Sequence, residues 1–245
     1  MSALVYGGRS PIALEIGKQL AGAGHEVHLV TRVRDDAIIK LAKENSCVEV
    51  HQCDLENSAK SIELALKIDS QVRGLDAVAF AHRYRGDVSA PLKQYSVEVY
   101  SPYEILEALA GQDRAEECAV VLLTSPGAHL VLADQNFQYH ASKAALSQLV
   151  RFGSVRFASQ NMRINGLSPG SFIFKQRAAD FYAKNPQIVG RANKMIPLSR
   201  MGTVEEIASV ALFLLSKQSC YMNGQILEVD GGLSVIDPAS LSKEI

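Results

Sequence analysis

The chain has 245 residues, 47% of them hydrophobic and 21% charged, which suits a packed core and excludes wholesale disorder. Its 25 basic and 26 acidic residues leave a net charge of -1, so no global field draws it onto nucleic acid or an anionic membrane. Four scattered cysteines (47, 53, 118 and 220) lack any C-x-x-C spacing. They read as reduced thiols of a cytoplasmic protein, not as a disulfide frame, and no metal site is expected.

No Ser/Gly/Pro-rich linker, repeat or low-complexity tract divides residues 1–245, which read as one domain. No apolar run approaches the roughly 20 residues that span a bilayer. The first such run begins at Ala3 with no basic region before it, which argues against a secretory signal. Apolar runs at Ala3–Tyr6, Glu26–Thr31, Val48–Gln52, Ala77–Ala81, Ala119–Thr124, Arg163–Leu167 and Ile226–Val229 read as strands buried on both faces. Helical patterning covers Ile12–Ala23, Asp36–Glu44, Ser58–Ile68, Val97–Ala110, Ala141–Ser159 and Val204–Leu215. The alternation predicts an α/β fold: a doubly wound, Rossmann-like parallel sheet of about seven strands with helices on both faces. Residues 82–96 and 171–203 are long, irregular and follow strands. Both are expected at the carboxyl edge of the sheet, where ligands bind in such folds.

The first turn reads Tyr6-Gly7-Gly8-Arg9-Ser10-Pro11-Ile12-Ala13. Ser10 is a favoured N-cap, and Pro11 fits the first helical position. A helix start at the end of the first strand offers free N–H groups and positive dipole to a pyrophosphate, or it is an ordinary strand-to-helix turn. Gly7, Arg9, Ser10 and Ile12 are the candidate contacts. The second strand ends at Thr31-Arg32 without the acidic residue that would bind a ribose 2′-OH. Arg32, Arg34 and Arg9 are expected near one corner, where guanidinium groups suit a 2′-phosphate. Asp54 and Leu55, just past the third strand, are placed against the adenine.

Of the eight tyrosines, only Tyr139 has a lysine four residues later, Lys143. Helical i, i+4 spacing puts both on one face. A phenol is a poor base at neutral pH, and a neighbouring ammonium favours its ionised form. Tyr139 is therefore a candidate acid/base for a carbonyl or alcohol oxygen. Ser125 ends the fifth apolar run and supplies a hydroxyl to orient the same oxygen. The sixth run ends in Ser168-Pro169-Gly170, on the same edge.

Taken in order, Ser125, Tyr139-His140-Ala141-Ser142-Lys143, Arg163-Ile164-Asn165-Gly166-Leu167-Ser168-Pro169-Gly170, Pro197-Leu198-Ser199-Arg200-Met201-Gly202 and Asn223-Gly224-Gln225…Asp230-Gly231-Gly232 resemble the short-chain dehydrogenase/reductase family, compact single-domain type. The resemblance covers Ala3 to Gly232. It implies that Ser125, Tyr139 and Lys143 are catalytic and that Lys143 also holds the nicotinamide ribose. It places Ala81, Pro169, Gly170 and Phe172 against the cofactor, Phe172 through its backbone at the carboxamide. It further implies a homotetramer or homodimer packed partly through the helix after Tyr139, with the C-terminal segment at another interface. Three departures stand out. Pro11 and Ala13 replace two glycines of the family turn, Phe80-Ala81-His82-Arg83 replaces N-N-A-G, and Glu98 stands where a catalytic Asn is usual. Glu98 either pairs with Lys143 or points elsewhere.

The long loops carry Arg83, Arg85, Lys175, Arg177, Lys184, Arg191 and Lys194, interleaved with Phe172, Phe174, Phe181 and Tyr182. They are expected to give an anionic small-molecule substrate a pocket of aromatic walls and positive charge, unless the charges only solvate the loops. His129, between Ser125 and Tyr139, is a further candidate for the lining. The leading reading is an NADP-dependent oxidoreductase interconverting ketone and alcohol, with NAD the less favoured cofactor. The alternatives are a non-redox epimerase or dehydratase on the same scaffold, or a cofactor-binding regulatory protein without catalysis.

Overall fold

A computed structural model describes residues 1–87 and 90–237; the side chains of Pro91 and Arg177 also lie outside the description. Seven strands form the main sheet: β1 (Ser2–Tyr6), β2 (Glu26–Thr31), β3 (Val48–Gln52), β4 (Ala77–Phe80), β5 (Cys118–Leu123), β6 (Met162–Pro169) and β9 (Ile226–Val229). A separate ribbon pairs β7 (Ile173–Phe174) with β8 (Gly202–Thr203). The helices are α1 (Pro11–Gly22), α2 (Asp36–Glu44), α3 (Ser58–Gln71), α4 (Pro91–Tyr95), α5 (Ser101–Ala110), α6 (Phe137–Arg156), α7 (Ala179–Lys184), α8 (Pro186–Met195) and α9 (Val204–Leu215). Among the described residues, no helix is long and apolar enough to cross a membrane.

The sheet order is β3-β2-β1-β4-β5-β6-β9, every pair parallel. Parallel strands need helices on both faces, so each strand must be apolar on both sides. Alternate side chains divide accordingly. Val5, Val27, Leu29, Ala79 and Val121 pack with α1, α2 and α9. Leu4, Tyr6, Val30, Phe80, Val120 and Leu122 pack with α3, α5 and α6. Strand order reverses between β1 and β4, which opens a crevice at their carboxyl ends.

The observed β2, β3, β9, α2 and α9 have the limits expected from the sequence. Helix α6 starts at Phe137, before the expected Ala141, because Asn136 caps it: its Oδ1 accepts the Tyr139 N–H at 2.9 Å. The expected helix Val97–Ala110 is interrupted. Residues Ser96–Tyr100 form a π-helical turn in which the Ser101 N–H reaches back to Ser96 O. The cause is Pro102, which has no N–H and whose ring would meet the carbonyl four residues earlier. Residues 171–203, expected to be irregular, contain β7, α7, α8 and β8.

Motif residues Arg163, Asn165 and Asn223 serve the architecture. Arg163 donates to Leu214 O and Ser216 O, tying β6 to the end of α9. Asn165 donates to Met222 O at 2.7 Å and accepts from Gln225 N at 3.0 Å. Asn223 accepts from Ile164 N at 2.8 Å. These bonds fix β9, and with it the last strand of the sheet, beside β6.

Candidate active site

Two adjoining cavities occupy the crevice, one of about 430 Å³ and one of about 320 Å³. The first lies over the ends of β1, β2 and β3. Gly7, Arg9, Ser10, Thr31, Arg32, Asp54 and Leu55 line it, as the sequence suggested. Arg34 does not. Its guanidinium donates to Val50 O at 2.8 Å on the outer side of β3, so the expected cluster at the corner shrinks to Arg9 and Arg32.

The turn after β1 is tight. Gly7 has φ +99°, and a Cβ there would lie 2.6 Å from His82 N. Only glycine fits that backbone and that approach. The Gly7 and Gly8 N–H groups both bond Val30 O at 3.0 Å, and Ser10 N bonds Gly7 O at 2.6 Å. These donors are spent on the turn itself. Pro11 has none, and the Ser10 side chain makes no cap bond. The N–H groups of Ile12 and Ala13 have no acceptor within the helix and lie at its positive end. Arg9 Nε stands 3.5 Å from Asp35 Oδ2. A glycine cradle, a free helix start and Arg9 and Arg32 on the cavity wall make a site that fits a phosphorylated dinucleotide. Asp54 Oδ1 accepts the Glu56 N–H at 3.0 Å, so this residue both closes its own turn and lines the cavity.

The second cavity lies over β4, β5 and β6. Ile12, Ala81, Ser125, Tyr139, Lys143, Pro169 and Gly170 all line it, together with Ser171 and Ile173. Phe172 does not, and its carbonyl accepts from Gly202 N at 3.1 Å, where the β7–β8 ribbon begins. Ser125 Oγ accepts two hydrogen bonds, from Tyr139 Oη at 2.9 Å and from Gly127 N at 3.1 Å. His140, which the sequence reading passed over, donates from Nδ1 to Gly127 O at 2.8 Å and so anchors the loop that carries Ser125. The spacing Gly127 to His140 gave no periodic signal that would have marked it.

Glu98 pairs with Lys143. Nζ lies 3.0 Å from Glu98 Oε2, with side-chain exposures of 5% and 1%. Nζ also donates to Leu123 O at 3.3 Å. Glu98 Oε1 accepts from Tyr84 N at 3.0 Å and Gln94 Nε2 at 3.4 Å. The π-helical turn carries Val97, Glu98 and Val99 into the interior together. A second cation stands nearby: the Arg83 guanidinium lies 4.5 Å from the centre of the Tyr139 ring, a cation–π contact.

Two other titratable groups border the crevice. Burial pushes the His82 imidazole down to about 4, so it is neutral at physiological pH. Its Nε2 donates to Val97 O at 2.8 Å, and among the described residues its buried Nδ1 has no partner. Burial raises the Tyr6 phenol far above its ordinary range, so it is no proton carrier at neutral pH.

The loop expectations divide. Arg83, Arg85 and Lys175 line the second cavity, with Asp134 as the acidic residue among its walls. Lys184, Arg191 and Lys194 are exposed elsewhere, and the Arg177 side chain lies outside the description. The expected aromatic wall is absent from the lining: Phe174 packs on Tyr182 at 5.1 Å, and Tyr182 donates to Ile173 O at 3.3 Å. Helix α7 carries Tyr182 back onto Phe174 of β7. Pro126, Leu132 and Ile173 supply apolar surface instead. His129 is exposed and does not line the cleft.

Comparison with known proteins agrees with this arrangement. A family model described as enoyl-(acyl carrier protein) reductase matches residues 7–234. The chain is 28% identical over 245 residues to a rhamnolipids biosynthesis 3-oxoacyl-(acyl-carrier-protein) reductase of Pseudomonas aeruginosa, covering 94% of each. It is 27% identical over 239 residues to an enoyl-(acyl-carrier-protein) reductase (NADH) of Neisseria meningitidis, covering 91% of this chain and 90% of the relative. Its fold superposes on a Pseudomonas aeruginosa RhlG/NADP active-site complex with a TM-score of 0.81 at 26% identity, covering 95% of this chain and 96% of that one.

Proposed function

The chain belongs to the short-chain dehydrogenase/reductase family, and from that premise we propose that it is an NADP-dependent oxidoreductase interconverting an anionic ketone and its alcohol. One observation carries the reading: Ser125 Oγ and Tyr139 Oη meet at 2.9 Å on the wall of the second cavity, with Lys143 one helical turn beyond. Two hydroxyls converging on one point can share a substrate oxygen. Arg9 and Arg32, with no acid at the end of β2, favour a 2′-phosphate over a 2′-OH. The relatives differ in cofactor, one an NADP complex and one NADH-linked, so this preference rests on the chain's own residues.

When bound, the nicotinamide supplies or accepts hydride at the carbonyl carbon. The Ser10 hydroxyl and the Ile12 N–H would hold the pyrophosphate where Gly7, lacking a side chain, lets it approach, Asp54 and Leu55 would hold the adenine, and Ala81, Pro169 and Gly170 the nicotinamide end. Ser125 orients the substrate oxygen through its hydroxyl, while the Gly127 N–H and His140 keep that hydroxyl in place. Tyr139 gives the oxygen its proton during reduction and recovers it during oxidation. Lys143, paired with Glu98, would also hold the nicotinamide ribose. The Arg83 guanidinium over the phenol ring favours negative charge on Tyr139 as the proton leaves. Arg83, Arg85 and Lys175 form the positive rim that suits a carboxylate or phosphate on the substrate. Residues 171–203 act as the substrate loop of one domain spanning 1–245. Four free thiols suit a reducing cytoplasm. On the outer face of α6, Ala144 is exposed, as are Phe152 (48%) and Val155 (82%), a surface suited to a homodimer or homotetramer interface.

The test is a screen of ketones, carboxylated and phosphorylated ones included, against NADPH oxidation. Tyr139→Phe should then lower turnover by about 10²–10⁴ and leave NADPH binding intact. Wild-type turnover in Tyr139→Phe would overturn the assignment.

A further inference from the structure

On the outer part of the sheet, away from Ser125 and Tyr139, two histidines and a glutamate converge. The parallel register sets His28 of β2 opposite Glu49 of β3, and Val30 opposite His51. Side chains alternate along a strand, so His28, Glu49 and His51 share one face. His28 Nδ1 lies 3.0 Å from His51 Nε2. Glu49 completes a triangle, with Oε2 at 3.6 Å from His28 Nδ1 and Oε1 at 3.7 Å from His51 Nε2. The two rings are largely buried, at 3% and 14% side-chain exposure, whereas Glu49 is 65% exposed. The cluster therefore has a closed floor and an open side.

We propose that His28 Nδ1, His51 Nε2 and the Glu49 carboxylate form a zinc site, with water as fourth ligand from the open side. The spacings support it. Ligands bonded to tetrahedral zinc at about 2.0–2.2 Å stand about 3.3–3.5 Å apart, and the three observed separations straddle that value. The two ring nitrogens need to part by a few tenths of an ångström, and the exposed Glu49 carboxylate needs to turn so that one oxygen approaches both. The outer shell is already in place. His28 Nε2 lies 3.3 Å from Glu26 Oε1, and Glu26 Oε2 accepts from Ser2 Oγ at 2.8 Å. A carboxylate that takes the far N–H of a histidine leaves the near nitrogen as a lone pair, the usual arrangement behind a histidine ligand. Without metal, the His51 Nε2 proton bridges the pair. With metal, that proton moves to Nδ1 and both rings stay neutral. Lys67 of α3 and Arg34 also act on His51, and the Glu49 carboxylate opposes these two cations. The metal would clamp the edge strand β3 to β2. The carboxyl ends of those strands lead to Thr31, Arg32 and Asp54 in the first cavity.

The probe is Zn²⁺ itself, titrated calorimetrically into the full-length protein after EDTA treatment, with Co²⁺ as spectroscopic substitute. One zinc per chain is expected, with a higher melting temperature when it is bound. His51→Ala and Glu49→Gln each remove a direct ligand and should weaken binding by more than the tenfold to hundredfold, roughly, that losing an outer-shell partner costs. The melting temperature of Glu49→Gln in EDTA should stay near wild type, because Glu49 is exposed. Co²⁺ should give the visible bands of a tetrahedral nitrogen and oxygen site without a thiolate charge-transfer band. Glu49 is exposed, so its variant carries the test should His51→Ala fail to fold. Absence of zinc binding at micromolar concentration, wild-type affinity in Glu49→Gln, or a thiolate band pointing to cysteine ligands would each overturn the proposal. A hydrogen-bonded histidine pair would then be the whole role of the cluster.

Discussion

The buried pair of Lys143 and Glu98 makes a demanding test, because it needs no substrate. Its members stand 3.0 Å apart at 5% and 1% exposure, so water screens neither charge. Removing one partner of such a pair costs about 3–5 kcal/mol, since the other charge stays buried alone. Lys143→Met would leave the Glu98 carboxylate with the Tyr84 N–H and Gln94. Glu98→Gln would leave the ammonium with only neutral acceptors, Leu123 O and the new amide, and no counter-charge. Either single substitution should therefore be costly. The double variant, Glu98→Gln with Lys143→Met, buries no charge and should be at least as stable as the weaker single variant. Urea unfolding of the four proteins measures the cycle. A coupling energy of about 2 kcal/mol or more is expected, and costs that add to within about 0.5 kcal/mol would refute a working ion pair.

Other expectations follow from neighbouring features. Arg32→Ala should weaken NADPH binding by about 1.5–3 kcal/mol and leave NADH nearly unchanged, measured by titrating both cofactors. Equal losses for the two would remove the phosphate contact. His82 has its folded pKa lowered from 6.5 to about 4 by burial, so the unfolded chain binds its proton first as pH falls. Its contribution is fully present above pH 6.5 and is lost as pH drops towards about 4. His82→Gln should therefore flatten the acid side of the stability curve, read from urea midpoints across that window. Light scattering should find the wild type above the 26.6 kDa of one chain, and Phe152→Glu with Val155→Glu should return it to that mass. A wild type already at that mass would exclude the α6 interface.

The sequence carried most of the fold because its signals were physical. Strands buried on both faces must be continuously apolar, and β2, β3 and β9 have the limits that composition implied. The Tyr139 and Lys143 spacing was legible because a helix repeats every fourth residue on one face. The errors fell where local pattern carries no information. Nothing in one dimension shows that Arg34 turns outward to Val50 O, or that Phe174 and Tyr182 pack on each other and leave the cleft wall. His140 was invisible for the same reason, since its partner Gly127 lies in a loop. The histidine pair on β2 and β3 depends on strand register, which no motif records. The partner of Glu98 stayed open until the interruption at Ser96–Tyr100 was known, and Pro102 was the residue that should have signalled it.

That interruption has a wider consequence for how the cleft's charge is controlled. In an α-helix each residue advances by about 100°, so one residue gained or lost rotates everything on one side of it by that angle. The π turn stores such an offset between α4 and α5. It orients Glu98 towards Tyr84 and Lys143, while Ile105, Leu106 and Leu109 keep their places in the core. Pro102 maintains the offset yet lines neither cavity. A substitution there that let the helix close would swing Glu98 away and strip Lys143 of its counter-ion, with every cleft residue unchanged. The counter-ion of Lys143 is thus set partly by helical phase, at a position that inspection of the cleft would pass over.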